Sequence, residues 1–407
     1  MTSPRNNPAL RIGLFGLGVV GQGLYDVLQR TPGLRAEVVR VCVKDRHKPR
    51  RLPPALFTYS PHDVLDDPRV NVVVELINDH EAAYRYVTAA LRQGKAVITA
   101  NKRMVAHHLQ ELIDLQRATG APLLYEASTA GSIPIVRNLE EYYDSDLLSG
   151  VEGIVNGTTN YILTQVHRAV STGGVPSGDA YGEALRAAQR LGFAESDPTM
   201  DVEAWDATFK TVIIAAHAFG TVVRPDDVVR RGITAVTARD VEVARAHGAV
   251  IKLLARAVQH PHGFSASAMP AFVQANDPLA QVSDEVNAVR VHAAFSDAQL
   301  LVGKGAGAHP TASAVLSDIG AQRHGYRYEY KKMGLVGTLP LENHVPVRAY
   351  VRTTTGLLDS IPWEQVEVDH RAIDHHYRIG RVDLEALRAS AAFQDPRAFV
   401  ALIPGGR

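Results

Sequence analysis

The stretch Ile12–Gly21, IGLFGLGVVG, decides the fold. Ile12 to Phe15 is apolar and strand-like, residues 16–21 read G-x-G-x-x-G, and Leu24, Val27 and Leu28 then recur at helical spacing. Strand, glycine turn and helix in that order is the context that gives the pattern a meaning. Gly16 permits the tight turn, Gly18 lets the backbone approach a pyrophosphate, and Gly21 lets the helix pack closely on the sheet. Val19 and Val20 open a helix whose first N–H groups are available to phosphates. The competing reading is an ordinary tight turn between a strand and a helix.

Outward from this segment the rhythm continues. Apolar runs at 38–43 (VVRVCV), 72–77 (VVVELI), 96–100 (AVITA) and 122–127 (PLLYEA) have the character of buried parallel strands. Helical patterns at 81–93 and 104–118 lie between them, with Gly94 and Gly120 where C-caps belong. Alternating strand and helix predicts an α/β, doubly wound sheet of the Rossmann type, with a dinucleotide at the carboxyl ends of its strands. The second strand runs into VKDRHKPRR from Val43. An acidic residue there suits a free ribose 2′-hydroxyl, whereas cations accommodate a 2′-phosphate. Lys44, Arg46 and Lys48 outnumber Asp45, and strand alternation puts Lys44 and Arg46 on one side, so NADP is expected ahead of NAD.

Composition narrows the rest. At about 150 residues per domain, 407 residues make two to three domains. The 43 Lys and Arg balance the 43 Asp and Glu, which argues against a nucleic-acid or membrane-surface partner. The single cysteine, Cys42, rules out an intrachain disulfide and a cysteine-based zinc cluster, and its place inside a strand makes it a buried hydrophobe. The amino end, MTSPRNNPAL, has no apolar core of a signal peptide, and no apolar run approaches the ~18 residues of a spanning helix. A soluble, cytoplasmic protein is expected.

Four further segments combine small residues with hydroxyls, amides and charges: ITANK (98–102), EASTAGSIPIV (126–136), GIVNGTTNYIL (153–163) and GFAESDPTMDVEAWDATFK (192–210). Such composition suits the lining of a cleft. A glycine loop and return helix, GKGAGAHPTASAVLSDIG, follow at 303–320 and carry Gly305 and Gly307. In this order, behind a Rossmann start, the segments resemble the homoserine dehydrogenase family from about residue 10 to 320. That resemblance implies NADP- or NAD-dependent interconversion of L-homoserine and L-aspartate 4-semialdehyde, a small-molecule substrate, in threonine, methionine and isoleucine biosynthesis.

By the same resemblance Lys210 is the proton donor and acceptor. Asp206 shares its helix face at i,i+4 spacing, a pattern that by itself would suggest only an exposed ion pair. The resemblance gives Lys102 to nicotinamide and substrate, Glu195 to the substrate ammonium, and Asp201 to the same polar cluster. Asp201 also suits simple stabilisation of a helix N-terminus. Asn156, Thr158, Thr159 and Asn160 line the substrate cleft or cap the helix that follows. Glu126, Thr129, Gly131 and Ile133 match a family site in which mainly backbone carbonyls hold a monovalent cation, usually Na+. Gly305 and Gly307 join the cofactor cradle, and a homodimer or homotetramer is expected.

The sequence departs from the family at Asn78 and Asp79, where many relatives have a glycine pair. His217, seven positions after Lys210 on the same helix, is read as a packed helix histidine ahead of one that approaches the cleft, while the HPH run at 260–262 and the histidine pair at 375–376 lack metal partners and are read as loop and surface residues. Residues 345–403 have an ACT-like but short and irregular layout, with Pro362 interrupting the first helix. The expected division is 1–137 plus 303–322 for the dinucleotide, 138–302 for substrate and assembly, and 323–407 for the ACT-like region. An aspartate-semialdehyde dehydrogenase would need Cys42 as nucleophile, inside a strand, and fails. Another oxidoreductase of a small aldehyde or ketone remains an alternative. A non-enzymatic dinucleotide sensor is a third reading, which has no use for Lys210, Asp206 and Lys102 together.

Overall fold

The computed structural model describes residues 9–144, 148–172, 179–305, 307–335, 338–353, 356–372 and 375–405. Most of the amino-terminal segment and Ala306 of the glycine loop, on which parts of the sequence reading rest, lie outside the described residues. The chain divides into two compact units, Met1–Tyr142 with Lys304–Lys331, and Tyr143–Gly303 with Lys332–Arg407. No helix of the described residues is long and apolar enough to cross a membrane.

The first unit is built on β1 (Leu10–Phe15), β2 (Ala36–Cys42), β3 (Phe57–Thr58), β4 (Val72–Glu75), β5 (Ala96–Thr99) and β6 (Leu123–Leu124). They form one sheet in the order β3-β2-β1-β4-β5-β6, with every pairing parallel. This is the doubly wound order, whose direction of winding reverses between β1 and β4 and leaves a crevice at the strands' carboxyl ends. Apolar runs make the central strands because both faces are covered: Ile12, Leu14, Val73, Val74, Val97 and Ile98 are all fully buried. The expected helices are present as His80–Arg92 and Lys102–Thr119, the second ended by Gly120 in left-handed conformation. The two-residue β3 is absent from the sequence reading, because it is too short to show a period.

The second unit holds a mixed ten-stranded sheet. Its strands are β7 (Leu148–Ile154), β8 (Val229–Arg230), β9 (Ala249–His260), β10 (Gly263–Gln274), β11 (Val286–Ala293), β12 (Gln299–Lys304), β13 (Pro346–Thr353), β14 (Gln365–Arg371), β15 (His376–Asp383) and β16 (Phe399–Leu402). They run in the order β12-β11-β7-β9-β10-β16-β13-β15-β14, with β8 parallel to β10. The helix Trp205–Phe219 is buried at every residue from Asp206 onward, its polar Asp206, Lys210 and His217 included.

The strands after residue 345 run in the order β16-β13-β15-β14 with every pairing antiparallel, and a single parallel pair between β16 and β10 joins them to the second unit's sheet. Val351, Val382, Val400 and Leu402 share one core with Ile154, Leu254 and Met269. One expectation needs correction: His375 is not a surface residue; it is 8% exposed, with its Nε2 3.4 Å from the Tyr350 hydroxyl and 3.9 Å from Asp240. Asp240, Arg352 and Tyr350 form the buried polar knot that accommodates it.

Candidate active site

In the first unit the glycine turn borders a cavity of about 490 Å³. Gly16 has φ +92°, and a Cβ there would lie 2.6 Å from the Leu76 carbonyl oxygen, so only glycine lets the turn meet the loop after β4. Gly18 is the N-cap of the Val19–Arg30 helix and has no neighbour within 4 Å of a Cβ position, which leaves its backbone open to a ligand. No side chain caps that helix and Val19 is 70% exposed, so its first N–H groups stand ready for an anion.

The wall opposite the glycines carries charge. Lys44 and Asp45 line the cavity with Lys48, Arg50 and Tyr59. Lys44 Nζ is 3.3 Å from Asp79, whose other carboxylate oxygen caps the His80–Arg92 helix by accepting the Ala82 N–H at 3.0 Å. The departure at Asp79 thus serves as a helix cap and a lysine partner. Asp45 is turned inward on its own loop, where it accepts the N–H groups of His47 and Lys48; those bonds hold its carboxyl below the usual range. Arg46 does not line the cavity and lies over the Tyr59 ring, 4.6 Å from its centre. Arg50 and Tyr59 went unnoticed in the sequence, since the stretch between β2 and β3 has no period to orient it. Cys42 also borders the cavity, but burial pushes its thiol up to about 11, so it is no thiolate nucleophile.

Lys102 begins the helix after β5, with Asn101 as its cap through the Met104 N–H at 3.0 Å. In the same unit, the Glu126 carboxylate accepts the main-chain N–H groups of Val136 and Arg137, both at 2.8 Å, with the Arg137 side chain 3.6 Å away. The Glu126 carbonyl accepts the Thr129 hydroxyl at 3.0 Å, and the Ile133 carbonyl accepts the Ile135 N–H at 2.9 Å. Gly131 has φ +63°, and a Cβ there would be 2.4 Å from the Gly305 carbonyl oxygen. Gly305 therefore packs on the 126–133 turn, and Gly307 caps the Ala308–Arg323 helix. Among the described residues no His, Cys, Asp and Glu side chains cluster as metal ligands.

In the second unit Asn156, Asp201, Asp206 and Lys210 meet. Asn156 follows β7 and caps the Gly157–Ser171 helix, its Oδ1 accepting the Thr159 N–H at 2.8 Å and hydroxyl at 3.0 Å. Its Nδ2 donates to Asp201 at 2.7 Å and to Asp206 at 2.9 Å. Lys210 donates to the same Asp206 oxygen at 2.7 Å and to the Val155 carbonyl at 2.6 Å. Lys210 and Asp206 are only 6% and 3% exposed, so the pair is buried, unlike the solvated pair that spacing alone would suggest. The Val155 carbonyl has no side-chain signature and could not have been foreseen. Thr158 donates to the Phe193 carbonyl at 2.7 Å and so ties the helix to the loop that carries the exposed Glu195. A lysine held by one carboxylate and one carbonyl at a helix face is a group of the kind used in acid–base chemistry.

Comparison with known proteins agrees across both units. A family model described as "Homoserine dehydrogenase, NAD binding domain" matches residues 16–126, and one described as "Homoserine dehydrogenase" matches residues 134–319. The chain is 39% identical to the homoserine dehydrogenase of Bacillus subtilis over 320 residues, 76% of this chain and 72% of that protein. It is 40% identical to that of Corynebacterium glutamicum over 343 residues, 79% of this chain and 75% of that one. The solved homoserine dehydrogenase of Thiobacillus denitrificans superposes with a TM-score of 0.84 at 29% identity, covering 98% of both chains. With this identity over so much of the relatives, and the same architecture, the chain belongs to the homoserine dehydrogenase family.

Proposed function

We propose that the protein interconverts L-homoserine and L-aspartate 4-semialdehyde with NADP as preferred dinucleotide and NAD as the lesser one. The observation that carries this reading is the buried Lys210–Asp206 pair, bridged to Asp201 by Asn156. Open glycine backbone, an uncapped helix N-terminus and basic side chains in one cavity fit a nicotinamide dinucleotide. Bound there, the dinucleotide supplies or accepts the hydride at the aldehyde carbon. The protein's part is the proton: in the reducing direction Lys210 gives one to the developing alkoxide, and in the oxidising direction it takes one from the hydroxyl. Asp206 orients the ammonium, and Asn156 fixes Asp206. Glu195 and Asp201 are assigned to the substrate end, with Thr158 and Thr159 beside them, and Lys102 to the nicotinamide side.

Lys44, Lys48 and Arg50 support the NADP preference, because a 2′-phosphate needs cations in the wall. A monovalent cation, Na+ by family resemblance, fits the carbonyl oxygens of Glu126, Thr129, Gly131 and Ile133. The Glu126 carboxylate is committed to main-chain N–H groups, and an all-oxygen neutral donor set suits a hard ion. We further read the chain as a cytoplasmic homodimer or homotetramer of amino-acid biosynthesis, with 1–137 plus 303–322 binding the dinucleotide and 138–302 the substrate. These last readings rest on the resemblance.

The test is Lys210→Ala. It should leave dinucleotide binding unchanged and lower kcat by about 10²–10⁴-fold, the usual share of a general acid–base group. Near-wild-type turnover in that variant would remove Lys210 from the mechanism.

A further inference from the structure

Glu75 ends β4, immediately before the stretch Leu76–Asp79 that lines the dinucleotide cavity, and it is 0% exposed. Across the sheet it faces Phe15 on β1 and Thr99 on β5. One carboxylate oxygen accepts the Ile77 N–H at 2.7 Å, and the other accepts the Thr99 hydroxyl at 2.5 Å. The Thr99 oxygen in turn accepts the Asn101 N–H at 3.0 Å. Asn101 closes the ring: its Nδ2 donates to the Ile77 carbonyl at 3.0 Å, while its Oδ1 caps the helix that starts at Lys102. A single buried carboxyl therefore joins the loop after β4 to the loop after β5.

The groups in contact with this carboxyl, the Ile77 N–H, the Thr99 hydroxyl and the Asn101 side chain, can all donate, so the ring suits the ionised form. A proton on the oxygen facing Ile77 would meet a group that can only donate, and on the other oxygen it would reverse the bond to Thr99, whose hydroxyl already receives Asn101. Burial acts the other way and pushes the carboxyl up to about 7. The residues paired with it across the sheet carry no charge, and among the described residues only Thr99, Ile77 and Asn101 offset the burial.

We infer that Glu75 is a positioning residue for the dinucleotide: its carboxylate holds Leu76–Asp79 and Asn101 in the shape that receives the cofactor, and a proton on it loosens both loops. This rests on the dinucleotide reading of the same cavity. The Gln variant keeps an acceptor for Ile77 but presents an N–H₂ to the Thr99 oxygen, which already receives Asn101. Thr99→Val removes the relay, and Thr99→Ser keeps it.

The experiment titrates wild type, Glu75→Gln, Thr99→Val and Thr99→Ser with NADP calorimetrically from about pH 6 to about pH 9, alongside steady-state kinetics and thermal unfolding of the free protein. Wild-type affinity should fall on the acid side of about pH 7. Glu75→Gln and Thr99→Val should bind roughly tenfold more weakly at pH 8, Glu75→Gln without the acid limb, and kcat at saturating dinucleotide should change far less than KM. Thr99→Ser should match wild type. Should Glu75→Gln not fold, the two Thr99 variants decide alone. Wild-type affinity with an intact acid limb in Glu75→Gln, or Thr99→Val equal to Thr99→Ser, overturns the inference. So does a variant that loses melting temperature, kcat and affinity together at every pH, since Glu75 would then be only structural. A wild-type protein that turns over homoserine but binds free NADP with no pH dependence overturns it too. Failure of wild type to bind any dinucleotide sinks the functional reading beneath it.

Discussion

Gly120 and Gly131 share a left-handed backbone, with φ of +70° and +63°, yet a methyl group should cost very different amounts at the two. At Gly120 nothing lies within 4 Å of the Cβ position, so Gly120→Ala bears only the conformational penalty of about 1 kcal/mol. At Gly131 the same atom would sit 2.4 Å from the Gly305 carbonyl oxygen and 2.5 Å from that of Lys304. The backbone there must move as well, and Gly131→Ala should cost roughly 3 kcal/mol or more. Denaturant unfolding measures both, and equal losses would mean that the glycine loop does not close on the 126–133 turn. The 2′-phosphate reading is also settled by single residues. Arg50→Ala should lower kcat/KM with NADP about tenfold and leave NAD almost unchanged, whereas Arg46→Ala should leave the NADP-to-NAD ratio as it is. Steady-state kinetics with both dinucleotides checks this, and the opposite pattern would return the phosphate to Arg46. Strand alternation carried past Val43 puts Lys44 and Arg46 on one side. The ladder stops at Cys42, and Asp45 then turns the chain by accepting two N–H groups of its own loop, so alternation no longer says where a side chain points. Asn156, Asp206 and Lys210 were legible because a cap, an i,i+4 pair and a recognisable motif coincide there.

At the scale of elements, β7, β9 and β11 are stitched by one carboxylate. Glu152 on β7 accepts from Arg256 on β9 at 3.0 Å and from Arg290 on β11 at 2.7 Å, with His292 at 3.0 Å. Against burial, the hydrogen bond with His292 and the Arg256 and Arg290 guanidiniums hold its carboxyl far below the usual range. A depressed native pKa contributes stability above the unfolded value of about 4.5, and that contribution fades as pH falls towards the native one. Glu152→Gln should therefore cost about 3 kcal/mol at neutral pH, where it takes the carboxylate from Arg256 and leaves Arg290 with Asp277 as its carboxylate partner. Its deficit should shrink as pH falls below about 4.5. Melting curves across that range test it, and a deficit that stays constant with pH would contradict the charge argument. Elements were legible where they are long or sharply bounded. The glycine turn and the 3.6-residue pattern announced the Rossmann helices, but the two residues of β3 carry no pattern, and its absence from the reading hid Tyr59. The carboxyl-terminal strands show the opposite difficulty: their alternation is plain, but alternation does not say which neighbour a strand pairs with. Here β16 pairs with β10 and brings the whole group into the larger sheet.

At the scale of the molecule, the proposed function draws on both units: the glycine turn, the basic cavity lining and Lys102 lie in the first, and Asn156, Asp206 and Lys210 in the second. The cavity of the first unit fits a dehydrogenase and a dinucleotide sensor alike, and the buried Lys210–Asp206 pair of the second is what favours the catalytic reading. The most direct measurement is nicotinamide absorbance during incubation of folded, Na+-supplied protein with L-homoserine and either dinucleotide. The account predicts homoserine-dependent reduction with both, roughly tenfold more efficient with NADP than with NAD. No reduction of either dinucleotide, by protein shown to be folded, would contradict it.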